Sequence, residues 1–271
     1  MNLRTLTPQD IGFALSQITR EGWVQSRAVF ASVVEHDPAG GLVAEEHGRP
    51  VALLTTANFG STGWIGHLIV LPDYRKIGLG SRMMHKAIEH LQRHGVTTIR
   101  LEADPPGMGI YRRLGFVEEF ESLRLRATRP ARPSPAAPMQ EKDLADVLAL
   151  DMKITGEDRG RYLKILKKNS QQALVMRRDN RLTGYLLAMP TSDGVNLGPF
   201  LAEDPDSAAA LLYAAPSGTT TVGLPAENRN GAALLHELGF EPRPSSIRMH
   251  LGPRPEQDLA RIYGIANGAT G

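Results

Sequence analysis

The sequence predicts a mixed α/β fold built as two copies of one unit, and three observations carry that expectation. First, an apolar strand-like run from Gly66 to Leu71 passes through a short turn and a glycine-bearing loop straight into an amphipathic helix. Second, Tyr111-Arg112-Arg113-Leu114-Gly115-Phe116 returns as Leu235-His236-Glu237-Leu238-Gly239-Phe240. Carried back at the same offset, Asp104 falls on Asn228 and Gly107 on Gly231, and a strand-like run precedes both (Thr98-Ile99-Arg100-Leu101; Thr221-Val222-Gly223-Leu224). Third, four prolines interrupt Thr128 to Pro138, which favours an extended connector over a packed element. The expected layout is a first domain over 1–127, a linker over 128–138, a second domain over 139–252 and a C-terminal tail over 253–271. Each domain is expected to be a mostly antiparallel mixed sheet flanked by helices.

Residues 8–20 suit a first helix, with Thr7 as N-cap, Pro8 at the first position, and Ile11, Ala14, Leu15 and Ile18 on one face. Residues 26–35 suit a second. Gly41–Glu45 and Pro50–Asn58 read as strands joined at His47-Gly48-Arg49. Residues 80–94 alternate with helical period: Met84, Ala87, Ile88 and Leu91 face inward, Arg82, Lys86, Glu89 and Arg93 outward, and Gly95 stops the helix. Residues 97–103 and 119–126 supply further strands.

Composition narrows the function. With 41% apolar and 22% charged residues, 271 positions are enough for one large or two ordinary cores. A net charge of +2, with no block of like charge, excludes a nucleic-acid stripe. No apolar run reaches 18 residues, and the first residues lack a signal peptide's apolar core, so a cytoplasmic protein away from membranes is expected. There is no cysteine, hence no disulfide, thiolate metal site or acyl-cysteine intermediate. His85 and His90 lie five apart, off a common helix face, so no metal is expected.

The chemistry begins at Arg75-Lys76-Ile77-Gly78-Leu79-Gly80-Ser81. Strand, turn and helix start aim successive backbone N–H groups at one point, where the helix dipole favours an anion. Gly78 and Gly80 let a ligand approach the backbone closely. A dinucleotide-binding loop needs a third glycine where Met83 stands, and a P-loop needs Gly-Lys-Ser/Thr; neither is present. The loop resembles the Gln/Arg-x-x-Gly-x-Gly/Ala signature of the GCN5-related N-acetyltransferases. Leu68-Ile69-Val70 resembles that family's pantetheine-binding strand, and Tyr111 to Phe116 its Tyr-x-x-x-Gly-Phe ending. Three elements thus occur in the family's order across residues 3–126.

The resemblance implies acetyl-CoA as cosubstrate. The amides of Ile77, Gly78, Leu79, Gly80 and Ser81 would wrap its pyrophosphate, Arg75 and Lys76 would add charge or lie solvated, and Leu68 and Val70 would offer main-chain groups to pantetheine. Many relatives have glycine where Lys76 stands, so its backbone is expected to accept a Cβ. Acetyl transfer to the amine of a small molecule would follow by direct attack in a ternary complex. Tyr111 would be the acid for the leaving thiolate, and a backbone N–H near Leu71 the oxyanion donor. Glu102 is the candidate base, with a water relay as alternative. Asp104, where the family often has Asn beside the coenzyme, also fits as N-cap of the Tyr111 helix. His67 has a suitable solution pKa but stands out of step with the strand positions that carry a base in related enzymes. Trp23, Phe30 and Trp64 are candidates for acceptor pocket or core.

The second half resembles a degenerate copy of the same domain. Where the phosphate loop should lie stand Glu203-Asp204-Pro205-Asp206-Ser207, whose carboxylates repel a pyrophosphate and whose proline lacks an N–H. Leu235 replaces Tyr111. This half is expected to cover the cleft, to supply acceptor-binding side chains, or to stabilise the fold. The tail with Ile262-Tyr263-Gly264-Ile265 is expected to return across one of the two domains. A non-catalytic acyl-CoA-binding protein and a protein or peptide N-terminal acetyltransferase are the alternatives.

Overall fold

The computed structural model describes residues 1–271, the side chain of Pro106 excepted. The first half runs β1 (Asn2–Thr5), α1 (Ile11–Arg20), α2 (Arg27–His36), β2 (Leu42–Glu46), β3 (Arg49–Phe59), β4 (Thr62–Val70), α3 (Leu79–Arg93), β5 (Thr98–Ala103), α4 (Met108–Arg113) and β6 (Val117–Arg129). The second half repeats the order. β7 (Ala137–Pro138), α5 (Leu144–Thr155), α6 (Gly160–Asn169), β8 (Gln172–Arg178), β9 (Arg181–Pro190) and β10 (Val195–Ala202) precede α7 (Pro205–Ala214), β11 (Gly218–Pro225), α8 (Arg229–Glu237) and β12 (Glu241–Leu251). A short strand β13 (Ile262–Gly264) follows.

The expected elements form for the reasons read from the sequence. Pro8–Asp10 make a 3-10 turn ahead of α1, and the Asp10 carboxylate accepts from the Thr7 backbone N–H at 2.8 Å. Ser26 caps α2 by accepting from the Val29 N–H. The apolar face of α3 (Met83, Met84, Ala87, Leu91) packs on Leu54, Ile65, Ile99 and Leu101. On the opposite sheet face, α1 and α2 bury Ile18 and Phe30 against Leu53 and Ile69. Strands β4 and β6 run longer than expected, from Thr62 and to Arg129.

The halves are not beads on a string. All strands join one sheet in the order β1-β2-β3-β4-β5-β12-β6-β11-β10-β9-β8-β7, with β13 on β10. The last strand of each copy lies inside the other: β12 pairs antiparallel with β5, and β6 pairs antiparallel with β11. A boundary after residue 127 therefore cuts a strand that completes the second half's sheet. The proline-rich connector is likewise tied to the second half, through Arg132 N–H to Tyr213 C=O and the Ser134 hydroxyl to Ala210 C=O.

The exchange brings charge into the middle of the sheet. Arg248 on β12 lies between the rings of Trp64 (4.5 Å) and Phe120 (4.9 Å) and pairs with Glu102 on β5 at 2.5 Å, both side chains 2% exposed. Beside it Arg100 pairs with Glu119 at 2.7 Å, and the Trp64 indole N–H donates to Glu157 at 2.9 Å. Trp64 and Phe30 are thus core residues.

Candidate active site

β4 and β5 run parallel only from Thr62 to Trp64 against Thr98 to Arg100 and then part, while β5 stays paired on its other edge with β12 as far as Ala103. At the same level a bulge interrupts the β3–β4 ladder, since Leu53 faces Ile69 while Thr55 faces Gly66. A V-shaped gap opens there, with the Arg75–Ser81 loop at its head. Leu71 N–H bonds to Val51 C=O at 2.9 Å, so the opposed pair Ala52–Val70 is the one whose N–H and C=O groups point away from the β3–β4 seam. Val70 therefore turns its main chain to the gap. The Leu71 N–H is spent on the sheet, so among the backbone N–H groups near Leu71 it is that of Val70 that points to the gap.

The loop has the form that an anion cradle needs. The backbone is left-handed at Lys76 (φ +65°) and Gly78 (φ +81°). Lys76 thus occupies the conformation glycine prefers, at a cost of about 1 kcal/mol, rather than one suited to a Cβ. The first helical bond of α3 runs from Arg82 N–H to Gly78 C=O, so Leu79, Gly80 and Ser81 have no intrahelical acceptor for their N–H groups. Lys76, Ile77 and Gly78 are exposed, whereas Leu79 is buried and anchors the helix start. A Cβ at Gly80 would lie 3.4 Å from Ile110 Cδ1 and 3.8 Å from Val70 Cγ2, ordinary contacts with α4 and β4. Arg75 is not free for a phosphate. Its Nε donates to Val70 C=O at 2.7 Å and its Nη2 pairs with Glu21 at 2.5 Å, tying the end of β4 to the end of α1.

Tyr111 on α4 is half-buried, with its ring edge-on to Phe116 (centroids 6.1 Å apart) and its rim against Gly107. Burial, with the nearby Asp104 charge, pushes its phenol up to about 12. Asp104 precedes the turn into α4 but does not cap it with its side chain. The carboxylate accepts from the Trp23 indole N–H at 3.1 Å and pairs with Arg124 at 3.4 Å. This joins β5, β6 and the loop after α1.

Glu102 is sealed rather than open to the gap. Besides Arg248, it accepts from the hydroxyls of Ser122 (2.9 Å) and Ser246 (2.8 Å). A carboxylate so enclosed has the partners of a structural ion pair and no lone pair facing a substrate amine. Strict alternation puts His67 out of step with a strand base, but the bulge breaks alternation. At φ +51° its ring turns to the α1–α2 face, against Phe30 (5.0 Å), with Nδ1 at 2.8 Å from the Thr55 hydroxyl and Nε2 at 2.6 Å from Gln25 Oε1. Burial lowers its pKa to about 4. Beside it the Gln25 amide nitrogen is buried without a partner. Nothing in the local sequence marks either residue, because a bulge has no composition of its own.

The second copy has the same parting of strands, β10 pairing with β11 only at Val195–Asn196, but its gap is filled. β13 lies on β10, and Ile265 N–H bonds to Gly223 C=O on β11 at 2.7 Å. Its helix start is closed as well: the Asp204 carboxylate accepts from Ser207 N–H at 2.8 Å, and Glu203 pairs with Lys153 and Arg181. Among the described residues no cluster of metal-ligating side chains occurs, and no helix is long and apolar enough to cross a membrane.

A glycine loop at the head of parted strands, repeated once in closed form, is the layout of a tandem acetyltransferase fold. Sequence profiles agree: residues 13–116 match the acetyltransferase (GNAT) family and residues 147–264 the acetyltransferase (GNAT) domain. The chain belongs to the GCN5-related N-acetyltransferase superfamily, as a tandem member. It is 29% identical over 191 residues to the uncharacterized N-acetyltransferase YitH of Bacillus subtilis, covering 67% of each chain. A provisionally assigned acetyltransferase from Pyrococcus horikoshii superposes with a TM-score of 0.87 at 26% identity, over all of this chain and 95% of that one. A tandem GNAT protein of the clavulanic acid biosynthesis pathway shares the fold at TM-score 0.67 and 16% identity, over 94% and 99% of the two chains. The family uses acetyl-CoA and acts on amine acceptors.

Proposed function

We propose that the chain transfers an acetyl group from acetyl-CoA to the amine of a small molecule, by direct attack in a ternary complex on the first half alone. The contrast between the copies carries this reading. One cradle is open, with Leu79, Gly80 and Ser81 amides free of helical partners, while the other is capped by Asp204 and plugged by β13. The open cradle and the outward N–H of Val70, whose C=O is taken by Arg75, fit a pyrophosphate and its pantetheine arm.

In this reading the amine nitrogen attacks the thioester carbonyl carbon, the C–S bond breaks, and the Tyr111 phenol gives its proton to the leaving thiolate. A phenol at about 12 stays protonated at neutral pH, as an acid must. The amine loses its proton to water, since Glu102 is sealed and both ring nitrogens of His67 are engaged. Holding both reactants in one gap supplies much of the rate. The same absence of an open base among these candidates favours a second reading, acetyl-CoA binding without turnover.

Because the chain has no cysteine, a thiol reagent sees released CoA and nothing else. Wild-type protein is incubated with acetyl-CoA and a panel of amines, amino acids, polyamines and aminoglycosides. CoA release dependent on an amine supports transfer. Tight acetyl-CoA binding in calorimetry without release across the panel supports the second reading, and no binding sinks both.

A further inference from the structure

We propose that the segment Ala266–Gly271, carried by the second half, forms a wall of the first half's acceptor pocket and restricts it to slender primary amines. The inference rests on the acetyl-transfer reading above. After β13 has filled the second copy's gap, the chain folds into a tight turn, with Ala266 N–H bonded to Gly271 C=O at 2.7 Å and Gly271 N–H to Asn267 C=O at 3.1 Å. Side chains of the second half fix this turn. Arg159 donates to Gly271 C=O at 3.2 Å, and the Tyr162 hydroxyl accepts from Thr270 at 3.2 Å. Arg159 is itself held by Asp151 at 2.5 Å, so the turn stands on a rigid base.

The turn lies on β4 where that strand has just lost β5. A Cβ on Gly66 would lie 2.4 Å from the Ala269 Cβ and 2.7 Å from its Cα, and a Cβ on Gly271 would lie 2.2 Å from the Trp64 ring. Gly66 is therefore the bare spot on which the Ala269 methyl sits, one residue before the bulge at His67. Across the gap, an added Cβ at Gly268 would lie 3.9 Å from Glu102 and from Arg124 Nη2, with nothing nearer. Gly268 is exposed although Ala269 and Thr270, which follow it, are buried. The segment thus turns one open, side-chain-free edge toward the mouth between β5 and β4, on the face that carries Asp104 and Trp23. An amine approaching the thioester from this face must pass Gly268. The Ala269 methyl seated on Gly66 narrows that path, which disfavours a branched carbon beside the nitrogen.

The test uses the cysteine-free background. Gly268→Cys places a single thiol at the mouth without crowding, and Lys168→Cys on exposed α6 serves as control. Each variant is alkylated with N-ethylmaleimide, freed of reagent, and assayed with 1,3-diaminopropane, tyramine and the branched amine isopropylamine, with acetyl-CoA affinity measured separately by calorimetry. Alkylated Gly268→Cys is expected to lose at least tenfold in kcat/KM for the unbranched amines with acetyl-CoA Kd within twofold, while alkylated Lys168→Cys is unchanged. Ala269→Gly is expected to raise the isopropylamine-to-tyramine ratio of kcat/KM at least fivefold. Unaltered kcat/KM in alkylated Gly268→Cys, with acetyl-CoA still bound, overturns the wall. Bound acetyl-CoA with no amine turned over by the wild type overturns transfer itself, and protection of the Gly268→Cys thiol from alkylation by millimolar tyramine then still decides whether amines enter here: no protection removes the wall.

Discussion

Tyr111, half-buried, and His67, buried, lie on opposite faces of the sheet, and burial moves their pKa values in opposite directions because it disfavours the charged form of each. For Tyr111 this keeps the proton on. Tyr111→Phe is expected to lower kcat about 100-fold with KM for acetyl-CoA little changed, read by CoA release; full kcat would remove the phenol as acid. For His67 the consequence is one of stability. Its folded pKa of about 4 lies below the unfolded value near 6.5, so the unfolded chain takes up a proton first as pH falls. The contribution is complete above about pH 6.5 and is lost as pH falls toward 4, amounting to about 2 kcal/mol by pH 5. Urea unfolding at pH 7 and pH 5 should show a smaller pH decrement in His67→Gln than in the wild type; equal decrements would mean that the ring is already charged in the folded state.

At the scale of elements, local features were the legible ones. The loop from Arg75 to Ser81, the amphipathic period of α3 and the Leu-Gly-Phe stops depend on residues within a turn or two of one another, and they sit where the sequence puts them. Gly80→Glu, which puts a carboxylate into the cradle, is expected to weaken acetyl-CoA binding at least 100-fold in calorimetry with little change in melting temperature. Glu102 was illegible for the opposite reason. Its partners Ser122, Ser246 and Arg248 come from β6 and β12, and alternation along β5 says which face a residue takes but not who meets it there. Arg248→Met should destabilise the protein by about 3–5 kcal/mol by stranding Glu102, and adding Glu102→Gln should recover much of that. A double variant that still turns over amines would confirm that Glu102 holds the sheet and carries no proton in the reaction.

For the whole molecule, the repeat in the sequence announced two copies but not their exchange of last strands. Period-two patterns in β6 and β12 satisfy either pairing, so the topology is decided by which sheet each strand reaches, a property of the whole chain. The expected division into domains is therefore a division of ancestry of pattern more than of folding. A fragment of residues 1–127 leaves β5 without β12 and exposes β6, and it is expected to lack a cooperative thermal transition by circular dichroism; mixing it with residues 128–271 should restore one if the exchange is what each half needs.

The exchanged strands also set a timetable. Glu102 and Arg248 lie 146 residues apart, which a ribosome covers in on the order of ten seconds at roughly 5–20 residues per second. For that interval the first half has an unfinished sheet edge and a carboxylate with no counter-charge, so the coenzyme cradle is translated early but gains its finished support late. A stall between β6 and β12 would leave nascent chains with an open strand edge, the state most prone to pair with a neighbour.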